Sequence, residues 1–191
     1  MDQIHSDNRQ LFPLEENLKH LKNGAILLSR DALKDPNFEA TIVLVCVHSS
    51  YGTYGLVLNR PSHMPLTEIF DGLSGCNSHR EVFIGGPVNQ EELQVLHLTD
   101  TPVEDAFEIV PNLYIGGKWN DSSLIIETNP AVVKLFLGFS GWEPEQLEQE
   151  IEAGAWDVYR VDLKKLFTQL NDFVAAPVST LVTKLEQIKI R

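Results

Sequence analysis

The stretch that most constrains the fold is segment 138–156, which reads GFSGWEPEQLEQEIEAGAW. Pro144 suits the first position of a helix, because the N–H of that position has no intrahelical partner. Glu143 is then the predicted N-cap, and Gln146 falls at the third helical position, where its side chain can accept a hydrogen bond from the N–H of the cap residue. Gly154 is placed to end the helix in a left-handed conformation. The segment therefore predicts a short helix with a defined start and end.

The length and composition indicate one soluble domain. The chain has 191 residues, of which 43% are hydrophobic and 22% charged, and both fractions are ordinary for a globular protein. Residues 1–10 are polar and are predicted to be disordered, so residues 11–191 form the predicted domain. No apolar run is long enough to span a bilayer, and the N-terminus lacks a signal-peptide pattern. We therefore expect a cytoplasmic protein without a membrane partner.

The charge disfavours nucleic acid as a direct partner. The formal net charge is −12, with 15 basic and 27 acidic residues, and the basic residues are spread along the chain. A polyphosphate backbone attracts proteins whose cations are gathered on one face. No Cys/His cluster has the spacing of metal ligands, and no glycine-rich nucleotide loop occurs, so neither a metal nor a cofactor is expected.

Strands are predicted to dominate the middle of the chain. The run 41–48 (TIVLVCVH) is almost continuously apolar, which predicts a central strand covered on both faces, and 54–59 returns beside it as a hairpin. Further strands are predicted over 25–29, 81–84, 93–98, 107–110, 113–115, 132–139 and 156–161. Helices are predicted over 11–21, 65–73 and 121–127, after Asp162, and after Ser179. Because strands and helices do not alternate regularly, the pattern favours an α+β domain with a mixed, largely antiparallel sheet.

Four stretches in a fixed order carry a family resemblance: 33–48, 55–61 (GLVLNRP), 85–97 (GGPV…LQVLH) and 138–156. Together they resemble the UPF0301 family, also called YqgE/AlgH, over about residues 24–167. The resemblance implies a sheet folded into a pseudo-barrel with flanking helices, in a single domain. The family's label of transcriptional regulator implies a regulatory role, and its biochemical activity is not established.

One position departs from the family pattern. The family usually has glycine where this chain has Glu145. A glycine there would leave the helix N-terminus open to an anion, whereas Glu145 places a carboxylate beside it. The departure therefore predicts that an anion site at this helix is absent from this protein.

Two loops supply candidate binding residues. Asn59 and Arg60 close a strand, so the guanidinium could bind a carboxylate or phosphate, or it could tie the loop to an acidic neighbour. Gly85 and Gly86 could form a backbone nest for an anion, or a tight turn packed near Trp142.

The histidines and the motif helix supply the remaining candidates. His48 and His97 lie near strand ends, and they could act as a base or as ligands if they converge; otherwise they are structural. Trp142 and Gln146 could face a ligand at the start of the motif helix, and the alternative is that Trp142 covers the core. The four glutamates at 145, 148, 150 and 152 are interpreted as a charged outer face.

Three hypotheses follow, and the first is preferred because no catalytic signature occurs. It is a non-enzymatic regulatory protein that binds a protein partner or a small ligand through a groove near Arg60, Gly85, Gly86 and Trp142. The second is a small-molecule enzyme, perhaps a hydrolase, that uses His48 or His97 with a carboxylate. The third is direct DNA binding.

Overall fold

Nine strands form one hydrogen-bonded sheet in the computed structural model, which describes residues 11–69, 80–101, 103–118 and 133–190. The strands are β1 Ile26–Ser29, β2 Ile42–Ser49, β3 Gly52–Val57, β4 Val82–Ile84, β5 Val88–Leu98, β6 Ala106–Val110, β7 Leu113–Gly116, β8 Val133–Trp142 and β9 Trp156–Tyr159. Their order is β6-β7-β5-β8-β3-β2-β1-β9, and β4 pairs with β8 outside this path. Only the β4–β8 pair is parallel among these described strands. The mixed, largely antiparallel sheet is therefore confirmed.

Five α-helices flank the sheet in the described part of the chain. They are α1 Leu14–His20, α2 Leu66–Ile69, α3 Gln146–Glu152, α4 Leu163–Thr168 and α5 Val178–Ile188. Asp162 caps α4 as predicted, because its Oδ1 accepts a hydrogen bond from the Lys165 N–H at 3.1 Å. The predicted cap of α5 was wrong: the helix already begins at Val178, with Pro177 as N-cap. No helix within the described ranges is long and apolar enough to cross a membrane.

Both faces of the central strand are buried, as its continuous apolar run predicted. Ile42, Leu44 and Cys46 point into the larger core, while Val43 and Val45 pack on the opposite side with Trp142, Trp156 and helix α3. Side chains alternate between the two faces of a strand. A strand covered on both faces therefore needs apolar residues at every position.

The sheet is not closed into a barrel, which qualifies the pseudo-barrel that the resemblance implied. Strands β6 and β9 lie at opposite ends of the strand order. The free edge of β9 is covered by side chains of α1: the Val158 N–H donates to Asn17 Oδ1 at 2.7 Å, and His20 Nδ1 lies 3.3 Å from the Val158 carbonyl oxygen. These side chains replace a strand partner at this edge, and such cover prevents edge-to-edge association.

Three predictions fall outside the described residues. They are the disordered segment 1–10, the helix over 121–127 and the last part of the helix over 65–73.

The motif helix lies within the described residues, and it begins later than predicted. The helix runs from Gln146 with Glu145 as N-cap, so Glu143 is not the cap. Its end is as predicted, because Gly154 has φ +77° and the Gly154 and Ala155 N–H groups donate to the Ile151 and Glu150 carbonyls.

Candidate functional site

The candidate site is a groove at the ends of three segments that are distant in sequence, and we call it the Arg60 groove. It is formed by the 3-10 turn Pro36–Phe38 with the residues that follow it, by residues 59–65, and by residues 174–178. Four neighbouring cavities make up the groove, with volumes of about 500, 470, 480 and 270 Å³. Because neighbouring cavities share lining residues such as Glu39, Pro61 and Arg60, they form one continuous depression.

Asn59 holds the segments of the groove together. Its side chain is buried, and the Oδ1 accepts a hydrogen bond from the Ile42 N–H at 3.0 Å. Its Nδ2 donates to the Ala40 carbonyl at 3.0 Å and to the Phe173 carbonyl at 3.3 Å. The amide is therefore engaged on both its oxygen and its nitrogen. Asn59 positions the groove walls rather than offering a free hydrogen-bonding group.

Arg60 ties the 3-10 turn to the end of β3. Its Nη1 donates to the Asn37 carbonyl, and its Nη2 donates to the carbonyls of Glu39 at 3.3 Å and Pro36 at 3.5 Å. We expected a carboxylate as the structural partner of Arg60. The guanidinium instead donates hydrogen bonds to carbonyls that have no partner within a short helical turn. The same side chain lines the cavities of about 470 and 270 Å³.

Three residues of the groove have left-handed backbone conformations without being glycine. Ala40, His63 and Ala175 have φ of +49°, +59° and +52°, and all three line the cavity of about 470 Å³. This conformation costs an alanine roughly 1–2 kcal/mol. Asn59 offsets part of that cost, because it bonds the carbonyl of Ala40 and that of Phe173, two residues before Ala175. The sequence carried no signal for these positions, since alanine gives no hint of a positive φ.

Gly85 and Gly86 pack against strand β8. The Gly85 N–H donates to the Leu137 carbonyl at 2.8 Å, and its carbonyl accepts hydrogen bonds from the Val57 N–H and the Ser140 hydroxyl. A Cβ on Gly86 would lie 2.2 Å from the Phe139 carbonyl oxygen. The glycines therefore permit a close approach of two chain segments, and the Gly85 N–H is not available to a nest. Gly86 also borders the smallest cavity of the groove.

Trp142 and Gln146 are organised by Glu150, a residue that the sequence placed on a solvated helix face. Glu150 Oε2 accepts hydrogen bonds from the indole Nε1 of Trp142 at 3.0 Å and of Trp156 at 2.8 Å. Gln146 Nε2 donates to Glu150 Oε1 at 3.0 Å, and Gln146 Oε1 accepts the Glu143 N–H at 3.0 Å, which is the predicted reach back. The carboxylate therefore joins both tryptophans of the motif to its helix.

The tryptophans meet the groove through one aromatic side chain. Trp142 is buried, and its ring stacks on Phe38 with centroids 6.0 Å apart. Phe38 belongs to the 3-10 turn that Arg60 binds, and it also contacts the edge of Trp156. Trp142 therefore packs beneath the 3-10 turn, and its ring face is not accessible to a ligand.

Glu145 has a left-handed backbone conformation, with φ of +65°. The glycine that the family usually has at this position is explained by this backbone geometry, since glycine adopts a positive φ without steric penalty. We had linked the same glycine to an anion site at the helix N-terminus. The conformation accounts for it without a ligand.

The two candidate histidines lie in different parts of the sheet. His48 pairs with Thr53, which pairs with Trp142 at one end of β8, whereas His97 pairs with Val133 at the other end. The nine residue steps from Val133 to Trp142 span about 30 Å along an extended strand. His48 Nδ1 lies 2.8 Å from the Thr53 hydroxyl, and His48 Nε2 lies 3.5 Å from a Glu148 oxygen.

The surroundings of the two histidines differ. The His48 contacts join the β2–β3 hairpin to helix α3. His97 is buried, its ring stacks on Tyr114 at 5.7 Å, and both of its ring nitrogens lack a hydrogen-bond partner within the described part of the chain. Burial lowers the pKa of His97. The enzyme hypothesis named His48 or His97 together with a carboxylate; the two histidines do not converge, and His48 lies beside one carboxylate, that of Glu148.

Metal coordination also lacks support in the described ranges. No three His, Cys, Asp or Glu side chains come close enough there to hold a metal ion. The buried Asp157 has other partners: its Oδ1 accepts hydrogen bonds from the Leu11 and Phe12 N–H groups, and its Oδ2 lies 3.5 Å from Arg30 Nε. Burial raises the pKa of the Asp157 carboxyl, against the opposing effect of these hydrogen bonds and of Arg30.

Comparison with known proteins decides the family. The family model described as AlgH-like (DUF179) matches residues 26–180, which include the groove and the motif helix. The chain belongs to the AlgH-like family. A UPF0301 protein of Chlorobaculum tepidum is 34% identical to it over 151 residues, which cover 78% of this chain and 80% of the relative. A UPF0301 protein of a Marinomonas strain is 34% identical over 158 residues, which cover 78% and 84%.

Two solved structures share the fold. The AlgH protein of Pseudomonas aeruginosa superposes with a TM-score of 0.67 at 24% identity, and the match covers 87% of each chain. A protein of Corynebacterium diphtheriae superposes with a TM-score of 0.62 at 25% identity, with 83% of this chain and 81% of that chain covered. Both structures support the α+β architecture described above.

Proposed function

We propose that this AlgH-like protein acts by binding, and that its Arg60 groove takes an extended segment of a partner polypeptide. The groove is long, open and built from four connected cavities. Sites for small molecules bury most of the ligand's surface in a single concave pocket. An open groove of this length instead suits a chain that lies along the surface.

The charge of the groove also suits a polypeptide. Four cations and four anions line it, although the whole chain carries a net charge of −12. The cations are Arg30, Lys34, Arg60 and Arg80, and the anions are Asp31, Asp35, Glu39 and Glu81. Arg30 is buried beside Asp157 and Arg60 binds backbone carbonyls, so both charges already have partners. A groove of balanced charge on an acidic protein does not repel a segment of either charge.

The observation that carries the proposal is the restrained backbone of the groove walls. Ala40, His63 and Ala175 adopt left-handed conformations on one cavity, and Asn59 and Arg60 hold the adjoining carbonyls. Strained conformations of this kind concentrate at functional sites. A preformed wall lowers the entropy that is lost when a flexible segment binds. Five prolines on the walls, namely Pro36, Pro61, Pro65, Pro87 and Pro177, restrict the backbone further.

The biological role follows from this mode of action. The family label implies a regulatory role. A regulator in the cytoplasm would act by binding such a partner polypeptide and releasing it. Binding of a small ligand in the same groove is the alternative. Direct contact with DNA is a weaker hypothesis, because the net charge opposes it.

The experiment is a selection followed by a matched pair of variants. Peptides of twelve residues are selected from a random display library, and their affinities are measured by fluorescence anisotropy. Glu39→Trp narrows the groove, and Glu152→Trp makes the same change on an exposed face of α3. We expect Glu39→Trp to weaken binding at least about tenfold, and Glu152→Trp to change it less than about twofold.

Two results would count against the proposal. If the library yields no specific binder, the hypothesis of a polypeptide partner is wrong. The same holds if Glu39→Trp and Glu152→Trp change the peptide affinity equally. Native mass spectrometry of the purified protein gives an independent measurement. A co-purifying small molecule that Glu39→Trp removes would assign the groove to a small ligand instead.

A further inference from the structure

A second cavity, separate from the Arg60 groove, lies between the sheet and helix α4. Its volume is about 130 Å³, and it shares no lining residue with the groove. Strands β5, β7 and β8 supply Leu96, Leu98, Leu113 and Lys134, and α4 supplies Lys164 and Phe167. His97 and Thr168 also line the cavity. Because side chains alternate along β5, the imidazole of His97 lies on the other face of the sheet, where it stacks on Tyr114.

The interior of this cavity is apolar. Leu96 and Leu113 are each 1% exposed and Phe167 is 6% exposed, and all three belong to the larger core. A cavity lined by such side chains offers water few hydrogen-bond partners, and apolar ligands occupy cavities of this kind. The lining therefore selects an apolar group.

Two lysines border the same cavity. Lys134 lies on β8 opposite Leu96, so its stem runs along the inner face of the sheet and the side chain is half-buried. Burial lowers the pKa of the Lys134 amine, while Glu81 opposes this effect and Arg80 adds to it. Lys164 is exposed. No acidic side chain lines this cavity within the described part of the chain.

We propose that this cavity binds a small carboxylic acid with an unbranched apolar tail. The tail lies among Leu96, Leu113 and Phe167, and the carboxylate lies between the ammonium groups of Lys134 and Lys164. An anion there would give Lys134 the countercharge that a half-buried cation requires. The argument does not depend on the Arg60 groove, so the two proposals can fail separately.

The volume sets the length of the tail. One water occupies about 30 Å³ in the liquid, and a methylene group is of similar size. A cavity of about 130 Å³ therefore holds about four carbons. With the carboxyl carbon and the methylene group next to it outside the cavity, hexanoate has the expected size.

The test is a titration of the ¹⁵N-labelled protein with three probes. Hexanoate has both the tail and the charge, acetate has the charge without the tail, and hexylamine has the tail with the opposite charge. We expect hexanoate to shift the amide signals of Leu98, Leu113 and Thr168 saturably. Neither acetate nor hexylamine should do so at the same concentrations.

Two lysine variants separate a specific site from general charge attraction. Lys134→Met keeps an apolar stem and should weaken hexanoate binding at least about fivefold, because it removes a charge-assisted contact. Lys165→Met removes the same charge next to Lys164 but outside the cavity, and it should change the affinity less than about twofold. A melting curve of each variant establishes that it is folded.

Several outcomes would overturn the assignment. These are the absence of saturable shifts with hexanoate, equal affinities of the Lys134→Met and Lys165→Met variants, and binding of hexylamine as strong as that of hexanoate. N-acetylleucine presents the carboxylate of a polypeptide C-terminus. Stronger binding of N-acetylleucine than of hexanoate would assign the site to a chain terminus rather than to a free unbranched acid.

Discussion

Replacing Glu150 with alanine should destabilise the protein strongly, although Glu150 is half-exposed and lies in a helix with an acidic surface. The substitution removes the acceptor of two indole N–H groups, at 3.0 and 2.8 Å, and the acceptor of the Gln146 amide. Trp142 is 5% exposed and Trp156 is fully buried. The two indoles therefore lose a charged acceptor in a place that water reaches poorly.

The magnitude follows from the number and kind of these bonds. Hydrogen bonds to a charged group contribute about 1.5–3 kcal/mol each, so two of them give roughly 3–6 kcal/mol. Because Glu150 is half-exposed, water can replace part of the contact, and we expect a loss near the lower limit, about 3 kcal/mol. For a chain of this length that corresponds to a decrease in Tm of about 6–12 °C.

The assay is urea denaturation followed by tryptophan fluorescence, with two matched variants. Glu152→Ala makes the same change two residues later in α3, where the side chain is exposed, and it should cost less than about 0.5 kcal/mol. Glu150→Gln keeps one acceptor oxygen without the charge and should fall between the two. If Glu150→Ala and Glu152→Ala unfold at the same urea concentration, then the hydrogen bonds between the Glu150 carboxylate and the two tryptophans do not stabilise the protein in solution.

Two further predictions concern a buried imidazole and a strained backbone. Burial lowers the pKa of His97, so the unfolded chain binds a proton near pH 6.5 that the folded protein does not; the free energy of unfolding should fall below that pH by at most about 1.4 kcal/mol per pH unit. Urea melts between pH 5 and 8 should show a smaller slope for His97→Phe than for the unaltered protein, and equal slopes would contradict this account. Glu145→Gly should raise the free energy of unfolding by about 0.5 kcal/mol, because glycine adopts a φ of +65° without strain. Ala153→Gly, at a φ of −76°, should lower it by about 0.5–1 kcal/mol in the same assay, and two changes of the same sign would refute the reasoning.

The sequence predicted the strands best where the apolar pattern was complete. The run 41–48 matches β2 within one residue at each end, because residues 42–46 are buried on both faces and are all apolar. The first half of β5 was missed. Residues 88–92 (VNQEE) are exposed, and an exposed strand segment carries no alternation for the pattern to detect.

Some local contacts of the candidate residues could be predicted from the sequence, and others could not. Arg60 and Asn59 do lie at a groove, but their partners are backbone carbonyls of residues that are distant in sequence. Every residue has a backbone carbonyl, so the sequence does not show which carbonyl will bind an arginine, whereas acidic side chains are visible in it. For this reason a carboxylate was expected as the partner of Arg60. The groove itself arises where residues 36–41, 59–65 and 174–178 meet, and no pattern in the amino-acid sequence indicated that these segments come together. The hydrogen bond that Gln146 accepts from the Glu143 N–H was predicted correctly, because the two residues are three positions apart in the sequence.

The position of β8 has a consequence for synthesis on the ribosome. This strand pairs with β3, β4 and β5, and it is the eighth of the nine described strands in chain order. The β2–β3 and β6–β7 hairpins can each form as they emerge, because their partners are close in sequence. They remain unconnected until residues 133–142 have left the exit tunnel. A chain that stalls before this point exposes the unpaired edges of β3 and β5 at once, and such edges attract chaperones and other nascent chains.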